Sequence, residues 1–317
     1  MTTNNANATT NIDFLGYRSI CFALSLILFV SFFGGAFYKY KTRGTVFLYS
    51  VDFTGGTQIL FDFSKPISSE KVKDILKHNA IPDPNAREFS DHEVLIRLKP
   101  AEGNADTKTD GVDTVLSMKD LAENIRAILE KNLEGTKVTV MQIDSVGAGI
   151  GAELRQNSFW AIIIALIGML LYIWCRFWSI SYGVGSVAAL THDVVVILSF
   201  ILWFDYEISM NVISAILFIL GYSINDTIVI FARIREVVAK KTNVSMDSLV
   251  NTSINETLRR TILTSFATLL VVLALLLFGG EVLRLLSISL VIGIVFGTYS
   301  SIYVASPVML LLYKEKK

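Results

Sequence analysis

Six stretches of the chain carry little or no charge: residues 19–38, 158–175, 183–204, 208–232, 261–280 and 285–313. At 1.5 Å of rise per residue, each is long enough as a helix to cross ~30 Å of hydrocarbon. The first follows Arg18 and ends in the small residues Gly34, Gly35 and Ala36, as a signal peptide would, but it exceeds the apolar core of such a peptide. Between the first and second stretches the pattern changes. Residues 45–64 are rich in Val, Phe, Leu, Ile, Tyr and Thr and are broken at Gly55 and Gly56, which predicts a strand, a turn or bulge, and a second strand. Ser68 or Ser69 is placed to cap a helix over 70–79 that gathers Val72, Ile75 and Leu76 on one face. Residues 93–99 alternate as a strand, and 100–114 have the composition of an exposed or mobile loop. A capping-box run at 117–120 then opens a second helix with Leu121, Ile125, Ile128 and Leu129 as its buried stripe, and 137–144 close as a strand. The expected fold is an α-helical membrane bundle of six transmembrane helices with an inserted small α+β domain, ferredoxin-like or split βαβ.

Composition agrees, because a hydrophobic share of 52% in 317 residues exceeds what a soluble core needs. The 28 basic residues balance 28 acidic ones, so no global field points to nucleic acid. Their placement is more informative. Arg233, Arg235, Lys240, Lys241, Arg259 and Arg260 crowd one connection and Lys314, Lys316 and Lys317 the C-terminus, whereas the connection around Asp205 and Glu207 has no basic residue. Positive charge favours the cytoplasmic side, so both termini are expected there and the inserted domain outside. This divides the chain into a cytoplasmic tail (1–18), the first helix (19–38), the outer domain (39–157), helices two to six (158–313) with a cytoplasmic loop at 233–260, and a cytoplasmic tail (314–317). Cys21 and Cys175 both fall in or at the end of apolar runs, leaving the outer domain to be held by packing alone. His78 and His92 lack ligands at metal-binding spacing, and neither a catalytic constellation nor a phosphate-cradling loop is present. No enzyme activity, cofactor or metal is therefore expected.

Ionisable groups inside a membrane cost roughly 2.5 to 3.5 kcal/mol each on insertion scales and are functional candidates by default. Asp193, beside His192, and Asp226, beside Asn225, lie about 15 Å and 10 Å from the cytoplasmic ends of two antiparallel helices. Asn211, Ser214, Gly221, Tyr222 and Asn225 form a polar or small stripe that is expected to face the bundle interior. Arg260 opens the fifth helix, and Thr261, Thr264, Ser265 and Thr268 follow at helical spacing. Burial disfavours a carboxylate while a guanidinium favours it, so small movements of either could drive proton uptake or release. The plainer reading is that Arg260 marks a helix end and Asp226 bonds locally. Gly293, Gly297, Ser301 and Ala305, four apart, predict a seam of close helix packing. Met246, Leu249, Val250, Ile254 and Leu258 predict an amphipathic segment at the cytoplasmic interface or against a partner.

Several polar landmarks are specific as a set. They are Val51-Asp52-Phe53-Thr54-Gly55-Gly56, Val146-Gly147 with Gly151-Ala152-Glu153-Leu154, Gly221-Tyr222-Ser223-Ile224-Asn225-Asp226-Thr227, Arg233-Ile234-Arg235-Glu236 and Asn255-Glu256-Thr257-Leu258-Arg259-Arg260-Thr261. With their order and the span count, the chain closely resembles the SecF family of protein-export membrane proteins, within the resistance-nodulation-division superfamily. The resemblance covers all but about the first dozen residues. It implies a bacterial inner-membrane subunit that works with SecD beside the SecYEG channel, with YajC as a further candidate partner. It also implies unfolded secretory polypeptides as the cargo, membrane lipids as the surroundings, a periplasmic outer domain, and use of the proton motive force. It matches Asp226 and Arg260 to the family's proton-pathway positions. Asn225, Thr264, Ser265 and Thr268 complete the candidate pathway, and His192 and Asp193 form a second candidate. One departure is Ala232, where the family often has an aspartate. Two alternatives are a small-molecule or lipid transporter of the same superfamily and a structural subunit of the export complex that moves no protons.

Overall fold

The computed structural model describes residues 12–79, 81, 84–88, 90–98, 111–240 and 244–313. The chain divides into two compact units, one formed by Met1–Leu48 with Trp160–Lys317 and the other by Tyr49–Phe159. In chain order, α1 (Arg18–Arg43) leads through β1 (Leu48–Tyr49) into the inserted unit, which holds α2 (Val51–Thr54), β2 (Gly56–Phe63), α3 (Ser69–His78), β3 (Asn85–Glu88), β4 (Glu93–Leu98), α4 (Gly111–Asn132) and β5 (Val138–Val146). Then follow α5 (Ala148–Phe177), α6 (Ile180–Trp203), β6 (Glu207–Ile208), α7 (Met210–Lys240), α8 (Met246–Phe278), α9 (Gly280–Ser300) and α10 (Ser306–Leu312).

Six helical segments among the described residues are long and apolar enough to cross a membrane: Leu15–Arg43, Gly149–Phe177, Ile180–Trp203, Met210–Lys240, Met246–Phe278 and Val282–Leu312. Helices α6 and α7 are the most enclosed, whereas α5 and α8 leave most of their surface open. The small-residue seam on α9 sets this order. Gly293 has no room for a Cβ beside Ile219, and a Cβ on Gly297 would come within 3.1 Å of the Ser223 hydroxyl, so α7 lies directly on α9. Gly185 of α6 approaches as closely, its missing Cβ 2.7 Å from the Ala305 carbonyl oxygen. At Ser301–Ala305 the sixth segment widens into a π turn just ahead of Pro307. Proline cannot supply the next helical N–H and crowds the carbonyl four residues back.

In the inserted unit the strand order is β3-β4-β2-β5, with every pairing antiparallel. β2 and β3 therefore run parallel with β4 between them. Ile59, Phe61 and Phe63 of β2, Val94 and Ile96 of β4, Val72 and Leu76 of α3, and Ile125 and Leu129 of α4 form one buried cluster. The period-2 and helical stripes of the sequence thus meet in a single core.

Four sequence expectations differ from what is observed. Residues 51–54 form a helical turn instead of continuing a strand. The Ser50 carbonyl accepts from Phe53 N and Thr54 N at 3.1 Å and from the Thr54 hydroxyl at 3.0 Å, and such local bonds compete with a sheet ladder. Helix α4 begins at Gly111, ahead of the capping box at 117–120, because nothing from 112 to 116 breaks a helix. The expected loop at 100–114 falls largely outside the described residues, as do 1–11 of the N-terminal tail and 314–317. Residues 233–260, read as a connection, are helical on both sides, since α7 runs to Lys240 and α8 starts at Met246. Finally, the polar stripe of α7 faces away from the bundle. Asn211, Ser214, Gly221 and Asn225 are exposed and Tyr222 is half-buried, while Val212, Ala215, Ile216, Ile219 and Leu220 are buried. The ridge around Ile219 is what fits the glycine seam of α9, and seating it turns the polar stripe outward.

Candidate functional site

The apolar face of α7 carries three polar groups into the bundle, Ser223 and, one helical turn on, Asp226 and Thr227. Asp226 is 3% exposed. Its Oδ2 accepts from the Ser265 hydroxyl of α8 at 3.4 Å, and that hydroxyl lies 2.7 Å from Thr298 Oγ1 of α9. Ser223 donates to Asp193 Oδ2 of α6 at 2.6 Å, and Asp193 is wholly buried. The other oxygen of Asp193 lies 3.4 Å from His192 Nδ1. His192 Nε2 lies 3.2 Å from the Ser25 hydroxyl of α1, itself 3.4 Å from the Tyr299 hydroxyl, which donates to the Cys21 carbonyl at 2.9 Å. Below these, Thr227 and Ser301 join α7 to the π turn at 3.0 Å.

Two carboxyl groups therefore sit in an apolar bundle, each reached by a hydroxyl of a neighbouring helix. Among the described residues neither forms an ion pair with a lysine or arginine. Asp193 has Ser223 and His192 beside it, whereas a buried carboxylate with one long hydroxyl contact, as at Asp226, is poorly compensated. Arg260 is exposed and acts on Asp226 only as a nearby charge. Thr264 and Thr268 turn their hydroxyls back onto their own helix, to the carbonyls of Arg260 and Thr264 at 3.0 Å. Asn225 is exposed. Of the pathway residues named from the sequence, then, the structure joins Asp226 with Ser265, and His192 with Asp193, by direct contact. Ser223, three residues before Asp226, is marked by that spacing, whereas Ser25 and Thr298 lie on helices without an aspartate and carry no local signal.

The other landmarks are structural. Arg233 pairs with Glu256 and Glu236, and Glu236 with Lys240, tying α7 to α8. Asn251 and Asn255 of α8 bind the backbone of the N-terminal segment: Phe14 N donates to Asn251 Oδ1 at 2.8 Å and Ile12 N to Asn255 Oδ1 at 3.0 Å. Lys39 and Arg43 at the far end of α1 pair with Asp205, and both cations hold its carboxyl below the usual carboxylate range. In the inserted unit, Gly55 has φ 73° and ψ 167°, a conformation reserved almost entirely for glycine. The backbone there approaches Gly151 of α5 so closely that a Cβ on Gly151 would lie 2.9 Å from Gly55 N. Two sequence landmarks far apart in the chain are thus one contact. Among the described residues no group of His, Cys, Asp and Glu could hold a metal ion.

Residues 126–315 match the family described as protein export membrane protein SecD/SecF, C-terminal. The chain belongs to the SecD/SecF family. Within it, the chain is 38% identical to the protein translocase subunit SecF of Thermodesulfovibrio yellowstonii over 310 residues, covering 96% of each. It is 35% identical to that of Escherichia coli O157:H7 over 307 residues, covering 96% of this chain and 89% of the relative. Among solved structures, it is similar to SecDF from Thermus thermophilus, described as a translocon-associated membrane protein, with a TM-score of 0.77 and 34% identity. That match covers 95% of this chain and 38% of the SecDF chain. A structure of SecDF in a super-membrane-facing form matches with a TM-score of 0.62. Membership of the SecD/SecF family places the chain in the Sec pathway of protein export.

Proposed function

We propose that the chain works with SecD to promote protein translocation across the bacterial inner membrane, driven by the proton motive force, with Asp226 as the group that takes up and releases the proton. The observation that carries this is the burial of Asp226 between α7, α8 and α9 with a single long hydroxyl contact. Such a carboxyl has little holding it in one protonation state, and Arg260 can bias it through space. The outward polar stripe of α7 supports a second six-span unit as partner, because an exposed stripe of Asn211, Ser214 and Asn225 is costly against lipid and suits packing against another helix. A chain that spans 38% of SecDF leaves room for such a unit in its relative. In this reading both termini are cytoplasmic and the inserted unit is a periplasmic ferredoxin-like domain that handles unfolded polypeptide beside SecYEG. The test is export of a reporter into inverted vesicles with and without an imposed proton gradient, comparing the parental chain with Asp226→Asn.

A further inference from the structure

Helix α1 packs chiefly along α6. Ser31, Gly35, Lys39 and Arg43, four residues apart, form the outer part of the seam. Trp203 Nε1 donates to the Ser31 hydroxyl at 3.1 Å, Gly35 has its missing Cβ 2.9 Å from the Trp203 ring, and Lys39 and Arg43 pair with Asp205 just beyond α6. Deeper in the bundle the seam has a different character. There Ser25 meets His192, which is 2% exposed and flanked by the rings of Phe29 and Tyr299. From Asp226 one turn of α7 leads to Ser223, and hydrogen bonds continue through Asp193 and His192 to Ser25. This chain of groups crosses three helices and ends on the one whose last residue, Arg43, precedes the inserted unit at Tyr49 by six residues.

We propose that His192 and Ser25 are positioning residues that relay the protonation state of the buried carboxyl groups across the α6–α1 seam to the helix that leads into the inserted unit. Protonation reverses the polarity of the hydrogen bond between His192 and Ser25. With Asp193 ionised and His192 neutral, the carboxylate accepts from Nδ1–H, so Nε2 is an acceptor and the Ser25 hydroxyl donates to it. Adding one proton to the pair places hydrogen on Nε2 in either form that results, a carboxylic acid beside the other imidazole tautomer or a carboxylate beside imidazolium. Nε2 then donates, and Ser25 must accept from it and turn its own hydrogen toward the Tyr299 oxygen. Tyr299 is free to accept because its proton is given to the Cys21 carbonyl. The ionisable groups in contact with the His192 ring are Asp193 on α6 and Tyr299 on α9.

The inference rests on the proton-driven reading, and the experiment separates the two. Proton movement and gradient-driven export are measured together in inverted vesicles that hold the assembled complex, with assembly checked by co-purification. Asp226→Asn tests the reading itself and should abolish both signals. Ser25→Ala should leave proton movement intact and lower export per proton about fivefold, the effect of one buried hydrogen bond on an equilibrium. Ser25→Thr should restore it. His192→Leu breaks the link from the other side, and the double variant should be no worse than either single change. Ser31→Ala, which loses a bond between the same two helices outside the chain of groups, should keep the parental ratio. An unchanged ratio in Ser25→Ala, an equal loss in Ser31→Ala, or additive losses in the double variant would each overturn the proposal.

Discussion

The Ser223 hydroxyl lies 2.6 Å from the Asp193 carboxyl and one turn of α7 from Asp226, so the same buried face of α7 serves both acids. Ser223 is itself 1% exposed, and its removal leaves a buried acceptor without its shortest donor. Ser223→Ala should therefore destabilise the protein by about 1–3 kcal/mol. Thermal unfolding in detergent checks this. No change in midpoint would mean that water or another hydroxyl replaces the contact.

The Gly55–Gly151 contact makes a prediction for the inserted unit. A Cβ at position 151 would meet backbone, which cannot swing away as a side-chain tip can. Gly151→Ala should cost about 1–3 kcal/mol by overpacking. Gly55→Ala should cost a similar amount, about 1–3 kcal/mol, through backbone strain at its positive φ. Limited proteolysis of the full chain should show faster cleavage within 49–159 for both variants. Gly149→Ala, with open space around it, serves as the control.

Much of this architecture was legible in the sequence because its determinants are local. Uncharged runs gave the six spans, and alternation and capping gave the strands and α3. The four-residue spacing of Gly293 and Gly297 gave a packing seam. What was not legible depends on which face of a helix finds a partner. The stripe through Asn211, Ser214 and Asn225 is polar, and polarity alone suggested an inward face. The glycine seam instead takes the ridge around Ile219, which reverses the expectation. The hydroxyls of Thr264 and Thr268 share a spacing with Ser265, yet only Ser265 projects across to α7. The helical turn at 51–54 was hidden because Val and Phe favour strands in general, while Ser50 provides a competing local acceptor.

At the far end of α1, Asp205 gives the stability a pH dependence on the acid side. Lys39 and Arg43 lower its folded value below the unfolded one of about 3.9. The stability it contributes is therefore present above the unfolded value and is lost as pH falls through the folded one. The Asp205 side chain is 49% exposed, so the contribution is at most about 1 kcal/mol. Between pH 7 and pH 3 the parental unfolding midpoint should fall slightly more than that of Asp205→Asn. Parallel curves would contradict the assignment.

Orientation is testable at Met141 of β5, which is 58% exposed. With Cys21 and Cys175 replaced, Met141→Cys should react with a membrane-impermeant thiol reagent in intact spheroplasts. Reaction only after lysis would place the inserted unit in the cytoplasm and invert the topology.

The central claim is that Asp226 carries the proton that drives export. Asn at this position keeps the size and polarity of Asp and can still accept from Ser265, so assembly should survive. The most direct measurement is the gradient-dependent fraction of reporter export in inverted vesicles containing Asp226→Asn, with partner recovery confirmed by co-purification. The account predicts that this fraction disappears while export without a gradient continues at the parental rate. Gradient-dependent export at the parental level in a fully assembled Asp226→Asn complex would contradict it.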